Sequence, residues 1–331
     1  MYFASILPTT NIIWLAVILL VIGIVLIVKG GDFFVDASVW VAEVLKMPKF
    51  LIGATIVSIA TTLPEMIVSI IAVSGGNFAI SIGNAVGSVT ANTGLILAIS
   101  AIFVGGVIER RDFGIKAILI MAATIIIFIF GLSGTFGILP SILLLVILIY
   151  YMYETAVSAK RSVSNVEEKE VVEEKVDTKK IIINILKFIL GAAGIVLGAD
   201  LLVENAKLLA SAIGVSDGII AITIVAIGTS LPELITTITS ITKKQGELGV
   251  GNIIGANIID LVLILPICSF ISNGQLIIEP QSMFLDIPAS LVISLVAVVP
   301  TLIFKKFTKA QGFVMLALYI AYIVLAATIQ F

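Results

Sequence analysis

The stretch IATTLPEMIVS, residues 59–69, places a proline and a glutamate inside an apolar run long enough to cross a bilayer. It has a counterpart in the second half of the chain. ATIVSIATTLPEMIVSI at 54–70 matches ITIVAIGTSLPELITTI at 222–238 without a gap, at an offset of 168 residues. The same offset relates GNAVGSVTAN at 83–92 to GNIIGANIID at 251–260. Chance similarity between apolar segments would not keep both motifs in one register, so the sequence indicates an internal duplication.

The composition is that of a membrane protein. Of 331 residues, 60% are hydrophobic and 12% charged, and the mean hydropathy is +1.24, which excludes an ordinary soluble domain. Ten apolar stretches can span the hydrocarbon core, near 11–45, 50–73, 78–104, 114–130, 136–153, 181–213, 217–241, 248–271, 284–304 and 310–330. The sequence thus predicts an all-α polytopic membrane protein. With five spans per half, equivalent helices cross in opposite directions, so we expect ten transmembrane helices as two inverted-topology five-helix repeats.

The expected division of the chain follows from this duplication. The first repeat is placed at 1–153, with its motif region at 50–104, and the second at 181–331, with its motif region at 217–271. The segment between them, 154–180, is hydrophilic, lacks aromatic residues and carries both signs of charge. This pattern is typical of a solvated linker, and a regulatory or partner-binding loop is the alternative.

The positive charges predict the orientation. If the N-terminus lies outside, 17 of the 19 Lys and Arg residues fall on the cytoplasmic side, including Arg110, Arg111 and Lys116. The external connections contain no Lys or Arg, so the positive-inside rule predicts a multi-pass cell-membrane protein with both termini outside and the 154–180 loop in the cytoplasm. No basic region precedes the first apolar run, so we expect a retained first span, not a cleaved signal peptide.

The histidine and cysteine content limits the possible site chemistry. The chain has no histidine, which is the usual proton carrier at neutral pH and the commonest transition-metal ligand, so an ion site must be built from oxygen. The single cysteine, Cys268, cannot form an internal disulfide and is expected to be a small buried apolar residue.

The proline and glutamate of each half predict a cation site. Pro64 removes the hydrogen bond to the carbonyl of Ala60, and Pro232 does the same at Gly228. Glutamate within a membrane is unfavourable by several kcal/mol unless it is compensated, so it is a functional candidate. Each glutamate has a threonine four residues earlier, on the same helix face. Glu65, Glu233, Thr61 and Thr229 could together supply the six or more oxygens that Ca²⁺ prefers.

The second motif adds packing groups and further oxygens. Gly83 and Gly87, like Gly251 and Gly255, form small-xxx-small faces that allow close helix approach, and Asn84 and Asn252 are interpreted as helix-stitching groups. Asp260, a third carboxylate in an apolar run, is expected to contact a cation. Other oxygens that could hold a smaller monovalent cation nearby come from Ser58, Thr62, Ser88, Asn92 and Ser230.

These residues resemble the Na⁺/Ca²⁺ exchanger branch of the Ca²⁺:cation antiporter superfamily, especially its compact prokaryotic members. The resemblance covers nearly the whole chain and includes GTSLPE at 228–233 and GNIIGANIID at 251–260. It implies that Glu65 and Glu233 bind Ca²⁺ and share in Na⁺ binding. The further ligands that it implies are Thr61, Thr229, Ser88, Asn92, Asp260 and the backbone carbonyls of Ser58 and Ala226.

The sequence departs from the family pattern at four positions. Ala60 and Thr62 replace Gly and Ser in the first half, and Val89 stands where the motif often has Asn. Ala256 replaces the usual Ser in the second half, which removes one hydroxyl ligand. The resemblance implies three Na⁺ per Ca²⁺, and Ala256 bears directly on that stoichiometry.

The expected function is electrogenic Na⁺/Ca²⁺ antiport by alternating access, with the long first and sixth helices moving. The chain is then not an enzyme and needs no cofactor; its partners are the transported ions and the lipid bilayer, with no nucleic acid or obligate protein partner. The nearest alternative is a Ca²⁺/H⁺ exchanger, whose family members typically carry an acidic residue where Gly87 and Gly255 stand. K⁺-dependent exchangers carry Asp at the position of Asn92. An intramembrane hydrolase using paired carboxylates and a passive channel are the remaining alternatives.

Overall fold

The apolar runs form helices because, in hydrocarbon, each backbone N–H and C=O must be hydrogen-bonded within the protein. The computed structural model describes residues 12–104, 106–107, 110–167, 177–213 and 228–329. The helices in these ranges are α1 Ile13–Val44, α2 Lys49–Ser74, α3 Phe78–Phe103, α4 Arg110–Gly131, α5 Ile138–Glu167, α6 Thr178–Ala212, α7 Leu231–Thr242, α8 Gly246–Ile271, α9 Ser282–Phe304 and α10 Lys309–Thr328.

Nine helices within the described ranges are long and apolar enough to cross a membrane. The remaining expected span, 217–241, is described only from residue 228 onward, and this part contains α7, Leu231–Thr242. The predicted all-α polytopic membrane fold is therefore confirmed.

α3 and α8 form the centre of the bundle. Buried residues make up 83% of the most apolar window of α8 and 72% of that of α3, against 22% for α1 and 17% for α6. Large apolar side chains of α1, such as Trp14, Val21 and Val25, are exposed, as expected for a helix that faces lipid. The candidate ligands on α3 and α8 therefore lie on the two most enclosed helices.

The two long helices, α1 and α6, cross in a symmetric contact. A Cβ added at Gly23 would lie 2.8 Å from the carbonyl oxygen of Gly198, and one added at Gly30 would lie 2.8 Å from that of Gly191. Gly191 is the repeat equivalent of Gly23, and Gly198 is that of Gly30, so the two contacts are related by the 168-residue offset. The two helices run antiparallel. This is the relation that an inverted repeat produces, and the predicted inverted-repeat architecture is confirmed.

In the described part of the chain, four two-residue strands join connections at the two ends of the bundle. β1, Gly106–Val107, pairs with β4, Lys306–Phe307, and β2, Thr135–Phe136, pairs with β3, Leu276–Ile277; both pairs are antiparallel. The first pair links the α3–α4 connection to the α9–α10 connection, and the second links α4–α5 to α8–α9. Because successive spanning helices alternate in direction, the two pairs lie at opposite ends, as the repeat predicts.

The first half differs from expectation beyond residue 153. α5 continues to Glu167, so the beginning of the expected linker at 154–180 is helical, and residues 168–176 lie outside the described ranges. Lys116, expected at a cytoplasmic connection, is fully buried in α4, where its Nζ lies 2.8 Å from Oε2 of Glu154. Each charge compensates the other, which allows both to be enclosed. Cys268 is buried in α8, as predicted.

Candidate cation-binding site

α2 carries a run of buried oxygens around its proline. Thr61, Thr62 and Glu65 are each at most 3% exposed, and the helix continues through Pro64. The Thr62 hydroxyl donates to the carbonyl of Ser58 at 2.7 Å, and the Thr61 hydroxyl lies 3.3 Å from the same oxygen. That carbonyl, expected to face an ion, is therefore already a hydrogen-bond acceptor within α2.

α7 presents the matching glutamate of the second half. Glu233 lies in the first turn of α7 and is 1% exposed, with Pro232 beside it at the helix start. Ser230 occupies the N-cap position and is buried, whereas Thr229 is half-buried. A carboxylate at this position is favoured by the helix dipole. Ala226, whose carbonyl was expected to serve as a ligand, lies outside the described residues.

Three carboxyl groups come together between the repeats. The carboxyl groups of Glu65 and Asp260 are each close enough to that of Glu233 for their charges to repel it. The hydroxyls of Thr61 and Thr62 lie beside the Glu233 carboxyl. The structure thus brings ligands of α2, α7 and α8 to one place. Within the described ranges, however, no three acidic, Cys or His side chains have the geometry to hold one metal ion together.

The described residues give these carboxylates little compensation. None of the six oxygens of Glu65, Glu233 and Asp260 has a hydrogen-bond partner among the described residues. Among those residues, no Lys or Arg lies within 4.0 Å of them either. Each of the three residues is 1% exposed, so bulk water does not solvate them. Buried charges of this kind are highly unfavourable unless a cation or proton neutralises them, and a bound cation is the partner that these oxygens suit.

α3 contributes buried neutral oxygens. Ser88 is 2% exposed and Asn92 is 1% exposed, and their side-chain polar atoms have no hydrogen-bond partner within the described ranges. Asn92 begins a π-helical turn, Asn92–Leu97, and Asp260 begins the equivalent turn of α8, Asp260–Ile264. π-helical turns inside α-helices occur frequently at functional sites. Their occurrence at two residues related by the 168-residue offset supports a shared role.

Asparagine side chains join the helices that carry these oxygens. Oδ1 of Asn252 accepts the Thr61 hydroxyl at 3.0 Å, which links α8 to α2 across the two repeats. Nδ2 of Asn84 donates to the carbonyl of Glu65 at 3.0 Å and to the Ser69 hydroxyl at 2.9 Å. Both asparagines therefore have the stitching role that the sequence predicted.

Sequence reasoning missed a third link. Nδ2 of Asn257 on α8 donates to the Thr93 hydroxyl on α3 at 2.8 Å, so the two central helices are joined directly beside the π-helical turns. Asn257 lies within GNIIGANIID, and its equivalent in the first half is Val89. Its position as a polar residue within that apolar motif could have indicated a contact between helices.

The glycines of α8 allow α2 to approach closely. A Cβ at Gly251 would collide with the Phe50 carbonyl, and one at Gly255 would lie 2.6 Å from the carbonyl oxygen of Ala54. The predicted packing face is thus confirmed in the second half. For Gly83 and Gly87, no described atom lies within 4 Å of an added Cβ, but the residues that the repeat would place there, 218–226, are outside the described ranges.

Comparison with known proteins identifies the family. The model of the family described as "sodium/calcium exchanger protein" matches residues 15–156 and 183–328. The chain belongs to this family. Like other members, it is a membrane exchanger whose implied substrates are Ca²⁺ and Na⁺.

Individual relatives agree with this family membership. An uncharacterized membrane protein of Methanocaldococcus jannaschii is 32% identical over 90% of this chain and 94% of its own length. The sodium/calcium exchanger MaX1 of Methanosarcina acetivorans is 27% identical over 93% of this chain and 97% of its own. A structure of the sodium-calcium exchanger NCX_Mj soaked with Na⁺ and Sr²⁺ superposes with a TM-score of 0.80 at 29% identity, covering 96% of this chain and all of that one.

Proposed function

We propose that this exchanger-family chain is a secondary antiporter that exchanges Na⁺ for Ca²⁺ at a site near the middle of the membrane. The observation that carries the proposal is the set of three buried carboxylates, Glu65, Glu233 and Asp260, without hydrogen-bond or cationic partners among the described residues. They come from both repeats, and transport sites of inverted-repeat carriers lie where the repeats meet.

The proposed Ca²⁺ site is built on Glu65 and Glu233. Their two negative charges balance the charge of the ion, and two bidentate carboxylates supply about four of the six to eight oxygens that Ca²⁺ prefers. Oxygens of Thr61 and Thr229 are proposed to complete the shell, and the backbone carbonyls of Ser58 and Ala226 are proposed to cap the outer and inner ion sites. The proximity of Thr61 to the Glu233 carboxyl supports this grouping.

The proposed Na⁺ positions flank the Ca²⁺ position. Asp260 on α8 and Ser88 and Asn92 on α3 would provide their oxygens, with Thr62 and Ser230 as further contributors. The π-helical turns at Asn92 and Asp260 support this assignment, because a turn with wider spacing leaves backbone carbonyls without their usual partners.

Antiport follows if one set of carboxylates serves both ions. A protein without a bound cation would carry uncompensated buried charges through the change of access, so this step should be slow unless Ca²⁺ or Na⁺ is bound. The close α2–α8 packing at Gly251 and Gly255 supports a pathway closed at the end where these helices begin. α1 and α6, which are among the least buried of the described spanning helices, are proposed to move against the rest.

The proposed stoichiometry is three Na⁺ per Ca²⁺, with one net charge moved per cycle. That charge is worth about 2.3 kcal/mol per 100 mV of membrane potential. Ala256, fully buried in α8 without a hydroxyl, is the residue that most directly affects this number. We further propose that both chain termini lie outside and that the 154–180 segment is cytoplasmic, with the two repeats at 1–153 and 181–331.

The packing of α8 argues against proton coupling. In the family resemblance, Ca²⁺/H⁺ exchangers place an acidic side chain where Gly255 stands. Here even a Cβ at that position would lie 2.6 Å from the Ala54 carbonyl oxygen, so a longer side chain would require α2 and α8 to separate. The transport assay below tests this directly, because a proton-coupled exchanger would take up Ca²⁺ under a proton gradient alone.

The experiment is ⁴⁵Ca²⁺ uptake into proteoliposomes that contain the purified full chain. Uptake is compared under an outward Na⁺ gradient and an outward proton gradient, with the membrane potential clamped at either sign. We expect uptake that requires Na⁺, increases with an inside-positive potential and is absent in Glu233→Gln. Glu247→Gln is the matched control, because Glu247 is exposed on α8. Uptake driven by protons alone would overturn the proposal, and Na⁺-driven uptake that ignores the potential would indicate two Na⁺ per Ca²⁺.

A further inference from the structure

The first half of α2 contains a backbone carbonyl that its usual helical donor, the N–H four residues later, does not bond. Residues Gly53–Val57 form a π-helical turn in which the N–H of Ser58 bonds the carbonyls of Gly53 and Thr55 and passes over that of Ala54. Ala54 is fully buried. A carbonyl left without a donor in such surroundings is unfavourable, so the turn requires a hydrogen bond from elsewhere.

Tyr151 supplies that hydrogen bond from another helix. Its hydroxyl, on α5, donates to the Ala54 carbonyl, and the side chain is 2% exposed. The same carbonyl is approached from the opposite helix by Gly255, where an added Cβ would lie 2.6 Å away. Ala54 is therefore held between α5 and α8, and Tyr151 is the group that satisfies its oxygen.

A buried ion pair packs beside this tyrosine. Nζ of Lys116 lies 5.9 Å from the centre of the Tyr151 ring and 5.8 Å from that of Phe50 on α2. Lys116 is anchored by Glu154, three residues beyond Tyr151 on α5, and Glu154 also accepts the Ser158 hydroxyl at 2.8 Å. The ring is thus packed between α2 and α4, so its hydroxyl has a defined position.

The π-helical turn determines which way the following residues of α2 point. Such a turn is a one-residue insertion into an α-helix. If it reverted to regular α-helix, the two parts of α2 would shift relative to each other by about 100° and 1.5 Å. Ser58, Thr61 and Glu65 follow directly after the turn, and their buried oxygens face α7 and α8 only in the present register.

We infer that Tyr151 is a positioning residue for the cation site: it holds the π-helical turn of α2 and thereby aims Thr61 and Glu65 at the ion. The inference rests on the proposed function, because it assumes that these residues are ligands. Tyr151 itself contacts no ion and acts through the Ala54 carbonyl.

The second repeat provides a matched control. The 168-residue offset places Tyr319 at the position equivalent to Tyr151, and Tyr319 is 5% exposed. Its ring packs on Gly94, and its hydroxyl makes no hydrogen bond to any described residue; residue 222, the equivalent of Ala54, lies outside the described ranges. Removing the hydroxyl from each tyrosine therefore makes the same chemical change, once at a satisfied carbonyl and once where no described residue accepts a hydrogen bond from it.

The test measures Ca²⁺ dependence of exchange for Tyr151→Phe and Tyr319→Phe in proteoliposomes. For Tyr151→Phe we expect the KM for Ca²⁺ to rise about tenfold while the maximal rate changes much less. The reason is that the substitution moves the ion ligands out of position while the protein stays folded. Tyr319→Phe should retain the wild-type KM. Replacement of Tyr151 by 4-aminophenylalanine, which keeps an N–H donor at the ring, should restore most of the affinity.

Hydrogen exchange provides a readout that does not depend on transport. Amides of residues 54–62 should exchange faster in Tyr151→Phe than in wild type or Tyr319→Phe. Unchanged exchange there overturns the inference whether or not the protein transports Ca²⁺. A wild type without Na⁺-driven uptake would overturn the proposed function instead, and an unchanged KM in an actively transporting Tyr151→Phe would overturn the positioning role alone. If the Phe variant fails to fold, 4-fluorophenylalanine, nearly equal in size to tyrosine but without a donor, replaces it in both measurements.

Discussion

Breaking the Lys116–Glu154 pair should destabilise the protein strongly. The two side chains are 0% and 8% exposed, and their charged atoms lie 2.8 Å apart. Lys116→Met leaves the Glu154 carboxylate buried with one remaining donor among the described residues, the Ser158 hydroxyl at 2.8 Å. Removing one partner of a buried ion pair typically costs about 3–5 kcal/mol, and the retained Ser158 bond places our expectation near the lower end, about 3 kcal/mol.

The assay is a chemical unfolding titration in detergent micelles, performed on both single variants and on the double variant Lys116→Met/Glu154→Gln. The double variant removes both charges, so we expect it to be more stable than either single variant, which requires a coupling free energy of more than about 3 kcal/mol. Lys243→Met is the control, because Lys243 pairs with Asp32 and Asp36 on the surface and should contribute less than about 1 kcal/mol. A Lys116→Met variant as stable as wild type, or a double variant no better than the singles, would refute this reasoning.

Three further predictions concern the site, the packing and the orientation. Glu233→Gln should abolish Ca²⁺ transport and remove the thermal stabilisation by Ca²⁺, yet unfold at a higher temperature than wild type in cation-free buffer, because it removes a buried charge. Gly255→Ala should destabilise by about 1–3 kcal/mol in unfolding titrations through its contact with α2, whereas Gly114→Ala, with its nearest neighbour atom at 3.5 Å, should be neutral or slightly stabilising. In a cysteine-free background, a cysteine replacing exposed Asn273 should react with impermeant reagent from outside, and one replacing exposed Lys244 only from inside; the reverse pattern would contradict the proposed orientation.

The repeat made much of the fold predictable. Identical offsets in the two halves imply symmetric contacts, and the reciprocal pairs of Gly23 with Gly198 and Gly30 with Gly191 agree with that. Helix positions followed from apolar runs, since a segment in hydrocarbon must satisfy its own backbone groups. The role of Asn252 as a stitch between helices was likewise readable from the motif, and its bond to Thr61 confirms it.

The π-helical turns could not be predicted. The choice between two hydrogen-bond spacings depends on the packing of neighbouring helices, and Asn92–Leu97 carries no residue pattern that separates the two. Lys116 and Glu154 were expected at solvated connections because each residue alone is charged. Only their mutual approach, across 38 residues of sequence, allows them to be buried.

Competition between Na⁺ and Ca²⁺ for the purified protein tests most directly whether one buried set of oxygens serves both ions. Equilibrium ⁴⁵Ca²⁺ binding would be measured in detergent at increasing Na⁺, with K⁺ or choline holding the ionic strength constant. We expect the apparent affinity for Ca²⁺ to fall with Na⁺ along a log–log slope of about three, since each displaced Na⁺ contributes one unit by linkage. Ca²⁺ binding that does not respond to Na⁺ would contradict a shared site for the two ions.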